Sequence, residues 1–425
     1  MILEAKILRR TFRFPISPRS IKFTAGLLRG IGILNRPRVD TKSLPQRILI
    51  SHPITTVGDV ILVLPLIEVI HERWPEALID IAVGASMADL FVGHPHISNV
   101  FRYKTSHYRS PIVNKSHSVL LMVALYRREI MHLSYDLAIA PRWDSDIYAF
   151  LARYLVYFTG APKRWSYSAS VDGGNTQIDC LLTQVATGGE LEHEVLRYTR
   201  LIDRAGWPGA DMRSSISIDA PIQRIIEVAR ENNTDGLKQL LAELDAPSLA
   251  KYAVISLGAT NPRRIWPVER LAELIVSLNR KYGFSFLIIG IQTDAPLCEW
   301  LAQRTPEVAF SLAGRTNILE TASIIQGAAL FIGNDSGPGH IAGALGVPSV
   351  IVSSFPRSCK EDHPNSPVRF RPCGPKVKVV QPAAPLSPCH SYCDLNVTHC
   401  ITQVGVDEVL EAVESLLGPN AGTED

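Results

Sequence analysis

The feature that most constrains this chain is a repeated order of short apolar runs, turns and amphipathic helices. It begins at Arg47-Ile48-Leu49-Ile50-Ser51, an apolar run that ends in the turn-rich His52-Pro53-Ile54-Thr55-Thr56-Val57-Gly58-Asp59. Val63, Ile67, Ile70 and Trp74 then recur at helical spacing. Proline is tolerated only in an early helical turn, so Pro65 places Gly58 and Asp59 at or just before the helix start. Strands are expected at 78–83 and 135–140, and a helix over 144–157. The order restarts at Tyr252, with strands at 252–257, 284–289, 329–332 and 349–352. A helix opens after Trp266-Pro267, with Leu271, Leu274, Ile275 and Leu278 on its buried face. Strand-then-helix order implies parallel sheets with crossover helices. The predicted fold class is therefore α/β, in two separate halves.

The expected organisation is a basic arm over 1–46, an N-terminal domain over 47–220 and a helical connector over 221–249. A C-terminal domain over 250–417, with a helix at about 406–417, and a disordered tail over 418–425 complete it. The length of 425 residues suits two cores better than one. Hydrophobic content of 46% and charged content of 20% exclude a disordered chain. No apolar run is long enough to span a bilayer, and the N-terminus lacks the pattern of a signal peptide. Seven cysteines, an odd number, do not suggest a secreted disulfide scaffold, so the cytoplasm is the expected compartment.

Net charge is only +2, yet the first 42 residues hold ten Lys and Arg against Glu4 and Asp40. Apolar residues are interleaved among them. Such an arm could lie on an anionic membrane surface, or it could be a solvated basic tail. No basic stripe with interleaved aromatics or nucleic-acid motif follows it, so no nucleic-acid partner is expected.

The stretch Asn334-Asp335-Ser336-Gly337-Pro338-Gly339-His340 lies between a buried strand and a small-residue helix. Ligands of open α/β sheets bind beyond the carboxyl ends of strands. Gly337 and Gly339 permit close backbone approach, and the following helix aims its positive end at the turn, which suits phosphate. Ser336 and His340 can add donors. Asp335 is poorly suited to phosphate and better suited to sugar hydroxyls, and phosphate plus sugar describes a nucleotide sugar. Such Gly-rich turns also occur with no ligand at all.

This stretch, continued by Ile341-Ala342 and Ala344-Leu345-Gly346-Val347-Pro348, resembles the signature of glycosyltransferase family 9, which contains the ADP-heptose:lipopolysaccharide heptosyltransferases. Similar in order are Arg47-Ile48-Leu49-Ile50, Thr55 to Ile61, Leu64-Pro65, Gly160 to Arg164, His193 to Arg197 and Arg264-Ile265-Trp266-Pro267. The matches run from about 47 to 410 and leave the arm outside. Two departures stand out. Gly339 occupies a position where the family has Met or Leu, and Pro53, beside His52, stands where it often has Lys or Arg.

The resemblance implies a GT-B architecture: two Rossmann-like parallel-sheet domains facing across a cleft, acceptor on the N-terminal one and activated sugar on the C-terminal one. It implies inverting, metal-independent transfer of a heptose from ADP-heptose, without a cofactor. The acceptor would be a lipopolysaccharide core or related lipid-linked saccharide at the inner face of the cytoplasmic membrane, where the arm would hold the enzyme. The alternatives are another nucleotide sugar, a protein acceptor, or a binding protein that has lost its chemistry. Asp59 is the candidate general base; spacing alone favours a helix cap there, and the resemblance favours the base. Thr260, Arg264, Asp294, Asp335, Ser336, Gly337, Gly339 and His340 are the donor-binding candidates. Thr55, Thr56, Lys163, Arg164, His193 and Arg197 are the acceptor-binding candidates.

No metal ligand is assigned. Asp144-Ser145-Asp146 matches a bare D-x-D pattern at a helix start, where acids are welcome anyway. Cys389, His390, Cys393, His399 and Cys400, with Cys359 and Cys373, are enough for a zinc or iron site. Their spacing is not paired C-x₂-C, so buried or free thiols are the preferred reading.

Overall fold

The computed structural model describes residues 44–104, 118, 121–142, 147–172, 176–187, 192–204, 217–231, 251–259, 261–359 and 366–418. Nearly all of the basic arm, Asp144 to Asp146, Thr260, most of the 221–249 connector and the tail beyond 418 lie outside them. The chain forms two compact units. One takes residues up to 55 with 66–190 and 197–214, and the other takes 56–65, 191–196 and 215 onward.

The first unit holds a six-stranded parallel sheet: β1 (Arg47–His52), β2 (Leu78–Gly84), β3 (Ile97–Tyr103), β4 (Leu137–Ala140), β5 (Lys163–Tyr167) and β6 (Gln184–Ala186). Its order is β3-β2-β1-β4-β5-β6. The central strands are near-continuous apolar runs because helices cover both faces of such a sheet. Ile48, Leu49 and Ile50 of β1 and all four residues of β4 are fully buried. Helix α1 (Val57–Arg73) follows β1 as expected, but it starts at Val57, so Gly58 and Asp59 lie within its first turn and Pro65 lies in its interior rather than in an early turn. Proline has no N–H to give to the carbonyl four residues back, so the ladder is interrupted at that point. The boundary between the compact units falls at this proline. α2 (Ile147–Phe158) packs on β1 and β4. α3 (Glu194–Arg204) follows β6, and α4 (Gln223–Glu231) opens the connector region.

The second unit holds another six-stranded parallel sheet, β7 (Tyr252–Ser256), β8 (Ser285–Ile289), β9 (Ala309–Ser311), β10 (Leu330–Asn334), β11 (Ser349–Val352) and β12 (Val377–Val380). The order is β12-β11-β10-β7-β8-β9, the same topology as the first sheet. The strand order reverses between β7 and β10, which makes their carboxyl ends the switch point. α5 (Val268–Tyr282) buries Leu271, Leu274, Ile275, Leu278 and Tyr282, the face its spacing predicts. Gly283 ends it at φ 68°, the left-handed conformation that glycine adopts without a Cβ clash. α6 (Ala295–Arg304), α7 (Ile318–Gln326), α8 (Gly337–Ala344) and α9 (Val406–Leu417) complete the cover. Trp266, Phe284 and Phe286 are the large side chains of this core. No helix among the described residues is long and apolar enough to cross a membrane.

Candidate active site

The site is assembled at the switch point of the second sheet. Asn334, the last residue of β10, is buried and makes two bonds. Its Nδ2 donates to the Leu257 carbonyl at 2.7 Å, just past β7, and its Oδ1 accepts from the Trp266 amide at 3.0 Å. One side chain thus ties both strand ends to the Arg264–Trp266 loop. Trp266 is itself buried, with its indole N–H on the Val404 carbonyl at 2.9 Å. Asn261 caps the 3₁₀ turn Pro262–Arg264 by accepting from the Arg263 amide at 3.2 Å. The loop that carries Arg264 is therefore fixed at both ends.

Arg264 reaches Asp335: Nη1 lies 3.3 Å from its carbonyl oxygen and 3.9 Å from carboxylate Oδ2. Both side chains keep partial exposure. Arg263, Arg264, Asp335, Ser353, Ser354 and Phe355 line one pocket, together with Tyr392 and Cys393. Ser336 is the N-cap of α8, and Pro338 lies in its first turn. Ser336 Oγ and His340 Nδ1 are buried atoms with no hydrogen-bond partner among the described residues. Such atoms are costly to leave unpaired, and both are able to bond a polar ligand.

His340 is buried, and burial holds its imidazole below the ordinary range, against the upward pull of Asp335 and Asp59 and with a further push down from Arg264. It is neutral at pH 7 and can offer one N–H. Gly58 lies against this ring: a Cβ there would sit 2.8 Å from His340 Nε2. A Cβ on Gly337 would sit 2.7 Å from Val57 Cβ. The first turn of α1 and the first turn of α8, both in the second compact unit, therefore touch where only glycine fits. Asp59, in the first turn of α1, accepts from the Thr56 hydroxyl. This bond joins two side chains and is not a cap on a backbone N–H, and it holds the carboxylate in the neighbourhood of His340.

The other candidates are placed as follows. Asp294 Oδ2 accepts from the Ile291 amide at 3.0 Å, and a Cβ on Gly258 would meet the same oxygen at 2.3 Å. It therefore sits over the end of β7 while capping a turn. A Cβ on Gly339 already meets Ile351 Cδ1 at 2.9 Å, and Pro372 packs on the same place. Thr55 is half-buried and Thr56 exposed. Lys163 and Arg164 open β5, but the Arg164 guanidinium donates to the Leu181 and Ala161 carbonyls at 2.8 and 2.5 Å. Arg197 is buried with its guanidinium 5.8 Å from the Tyr167 ring centre. Pro53 and His52, where the resembled family often presents a cation, are both buried, and His52 meets the edge of Tyr198.

His193 is also buried. Its Nε2 donates to the Arg371 carbonyl at 2.8 Å, and burial pushes its pKa down to about 4. Next to it lies a contact that sequence reasoning missed. Glu194 and Arg369 are both sealed from solvent, and Arg369 Nε and Nη2 bond the same carboxylate oxygen at 3.0 and 2.7 Å. Neither residue carries a local signal, since they lie 175 positions apart.

Of the cysteines, only Cys389, Cys393 and Cys400 converge, together with His399. Cys359 bonds the Ser391 carbonyl, Cys373 lies 4.0 Å from His193 Nδ1, and His390 is exposed.

Residues 127–397 match the model of glycosyltransferase family 9 (heptosyltransferase). The chain is 25% identical over 304 residues to lipopolysaccharide heptosyltransferase 3 of Escherichia coli K12, which covers 70% of this chain and 79% of that relative. Among solved structures it is similar to a family 9 glycosyltransferase of Veillonella parvula, with a TM-score of 0.63 at 17% identity over 88% of this chain and 97% of the other. An E. coli heptosyltransferase solved with ADP gives a TM-score of 0.61 at 18% identity, over 87% of this chain and 99% of that one. The shared fold is the GT-B architecture, as the sequence motifs imply.

Proposed function

The chain belongs to glycosyltransferase family 9, and from that premise we propose that it transfers a heptose from ADP-heptose to a lipopolysaccharide core or related lipid-linked saccharide, with inversion. The observation that supports this reading most is the grouping of Arg264, Asp335 and Asp59 around the buried imidazole of His340 at a sheet switch point. The donor diphosphate lies at the α8 N-terminus, where Arg264, the Ser336 hydroxyl and the first-turn amides offer positive charge and donors. Asp335 accepts from sugar hydroxyls, and its pairing with Arg264 moderates its charge beside the phosphate. Asp294 is a candidate for the ribose.

In the chemical step the acceptor hydroxyl attacks the anomeric carbon while its proton passes to the Asp59 carboxylate. The bond from that carbon to the phosphate oxygen breaks, and ADP departs with the electron pair. Positive charge for the departing group comes from Arg264 and the helix end. Such base assistance is worth about 10²–10⁴ in rate.

With Pro53 and His52 buried, and with Lys163 and Arg164 level with the amino end of β1 rather than at the carboxyl ends where such sheets bind ligands, the Thr55–Thr56 turn is the better candidate for an acceptor contact. The basic arm would hold the enzyme on the cytoplasmic face of the membrane through anionic lipid. A panel of nucleotide sugars in a thermal-shift assay tests the donor. ADP-heptose at a hundredfold over its Kd adds about 2.7 kcal/mol, and a panel in which ADP sugars shift nothing while another nucleotide sugar does would overturn it.

A further inference from the structure

Between the end of β12 and Cys400 the chain runs through residues 381–399 without a helix or strand, yet it buries the thiols of Cys389 and Cys393, and the buried Cys400 follows directly. Loops of this length without regular structure are uncommon unless something else holds them. Apolar packing is thin: Cys389, Cys393 and Cys400 are covered by Leu386 and Leu395. All three cysteines are free thiols. Their sulfurs and one His399 nitrogen lie within 4.8 Å of one another. His399 Nδ1 is 3.6 Å from Cys389 Sγ and 3.4 Å from Cys400 Sγ. In a tetrahedron with Zn–S near 2.3 Å and Zn–N near 2.0 Å, the S···N edge is about 3.5 Å.

We propose that Cys389, Cys393, His399 and Cys400 form a closed Cys₃His site for a structural zinc ion, which fixes the 386–400 loop. Three thiolates and an imidazole are a donor set typical of structural zinc, and four protein ligands leave no open position for substrate water. Binding releases the three thiol protons to solvent. Asp394 Oδ1, which accepts a hydrogen bond from the Cys389 thiol at 3.4 Å, is exposed and can turn outward once that thiol becomes a thiolate. The loop so fixed carries Tyr392 and Cys393 in the wall of the pocket with Arg263 and Arg264, and Thr398 Oγ1 bonds the Pro262 carbonyl at 3.2 Å. The ion would thus brace the arginine loop from outside, whichever donor the pocket takes.

The test is metal analysis of the full chain, purified without an affinity tag. One zinc per chain is expected, retained in Cys359→Ser and lost in Cys393→Ser and His399→Ala. Replacement by cobalt should give thiolate-to-cobalt charge transfer and the visible bands of a tetrahedral ion, a readout on the wild type that stands even if the variants misfold. Chelation should raise hydrogen exchange in the loop while β10 stays protected. Zinc well below one per chain, another metal in its place, a disulfide among the three cysteines, or zinc retained in both ligand variants would overturn the assignment. Unchanged exchange after chelation would overturn the bracing role.

Discussion

Replacing Arg264 by glutamine separates a ligand contact from a structural one. Arg264 Nη1 lies 3.9 Å from Asp335 Oδ2, and the two side chains are 28% and 19% exposed. A pair this accessible contributes about 0–1 kcal/mol to folding, because solvent screens it and its side chains must be ordered. A charge-assisted contact to a diphosphate contributes more, about 1.5–3 kcal/mol. Arg264→Gln should therefore weaken ADP binding about 10- to 150-fold, at 1.4 kcal/mol per decade. Its stability should fall by less than about 1 kcal/mol, or under about 4 °C in Tm for a unit of this size. Isothermal titration with ADP at fixed salt gives the first number, and urea unfolding gives the second. An ADP affinity within about twofold of wild type would refute the phosphate role. A stability loss above about 3 kcal/mol would show instead that the arginine holds up the loop.

Other consequences follow from the buried polar groups and the arm. Glu194→Gln should cost about 3–5 kcal/mol in urea unfolding, since the buried Arg369 guanidinium would face a neutral amide in place of the Glu194 carboxylate; a loss under about 1 kcal/mol would contradict the sealed geometry. His193 is held neutral, with its folded pKa at about 4 against an ordinary 6.5, so the unfolded chain binds the proton more readily. Stability should be full above pH 6.5 and fall by roughly 3 kcal/mol as pH drops to 4, a slope that His193→Gln should reduce and that pH-resolved unfolding measures. Deletion of residues 1–42 should abolish binding to vesicles rich in anionic lipid, as flotation would show; undiminished flotation would remove the arm from that role.

How much of this was legible in the sequence depended on the range of the interactions. The run from Leu330 to Gly346 carries its own signals, with a buried strand, a glycine-rich turn and a helix in one segment. The face of α5 is likewise set by residues three and four apart. The strands at the sheet edges were less visible. β6 and β9 have three residues each, and β12 is only partly buried, so neither length nor alternation marks them. Asn334 could be quoted as part of the turn, but its latching role needs Leu257 and Trp266, 77 and 68 positions away. The Glu194–Arg369 pair was hidden for the same reason. The cysteines misled differently: seven thiols and irregular spacing concealed which four donors meet, and only the path of the 386–400 loop sorts Cys389, Cys393 and Cys400 from Cys359 and Cys373. Pro65 misled through a correct general rule, because α1 begins at Val57, well ahead of it.

The most direct test of the account is a single-turnover comparison of wild type with Asp59→Asn, using ADP-heptose and a lipid-linked saccharide acceptor. Asparagine keeps the size of the side chain and an oxygen for Thr56, but it cannot take the acceptor proton at neutral pH. The account predicts ADP-heptose binding like that of wild type and transfer slowed by about 10²–10⁴. Transfer near the wild-type rate would contradict it.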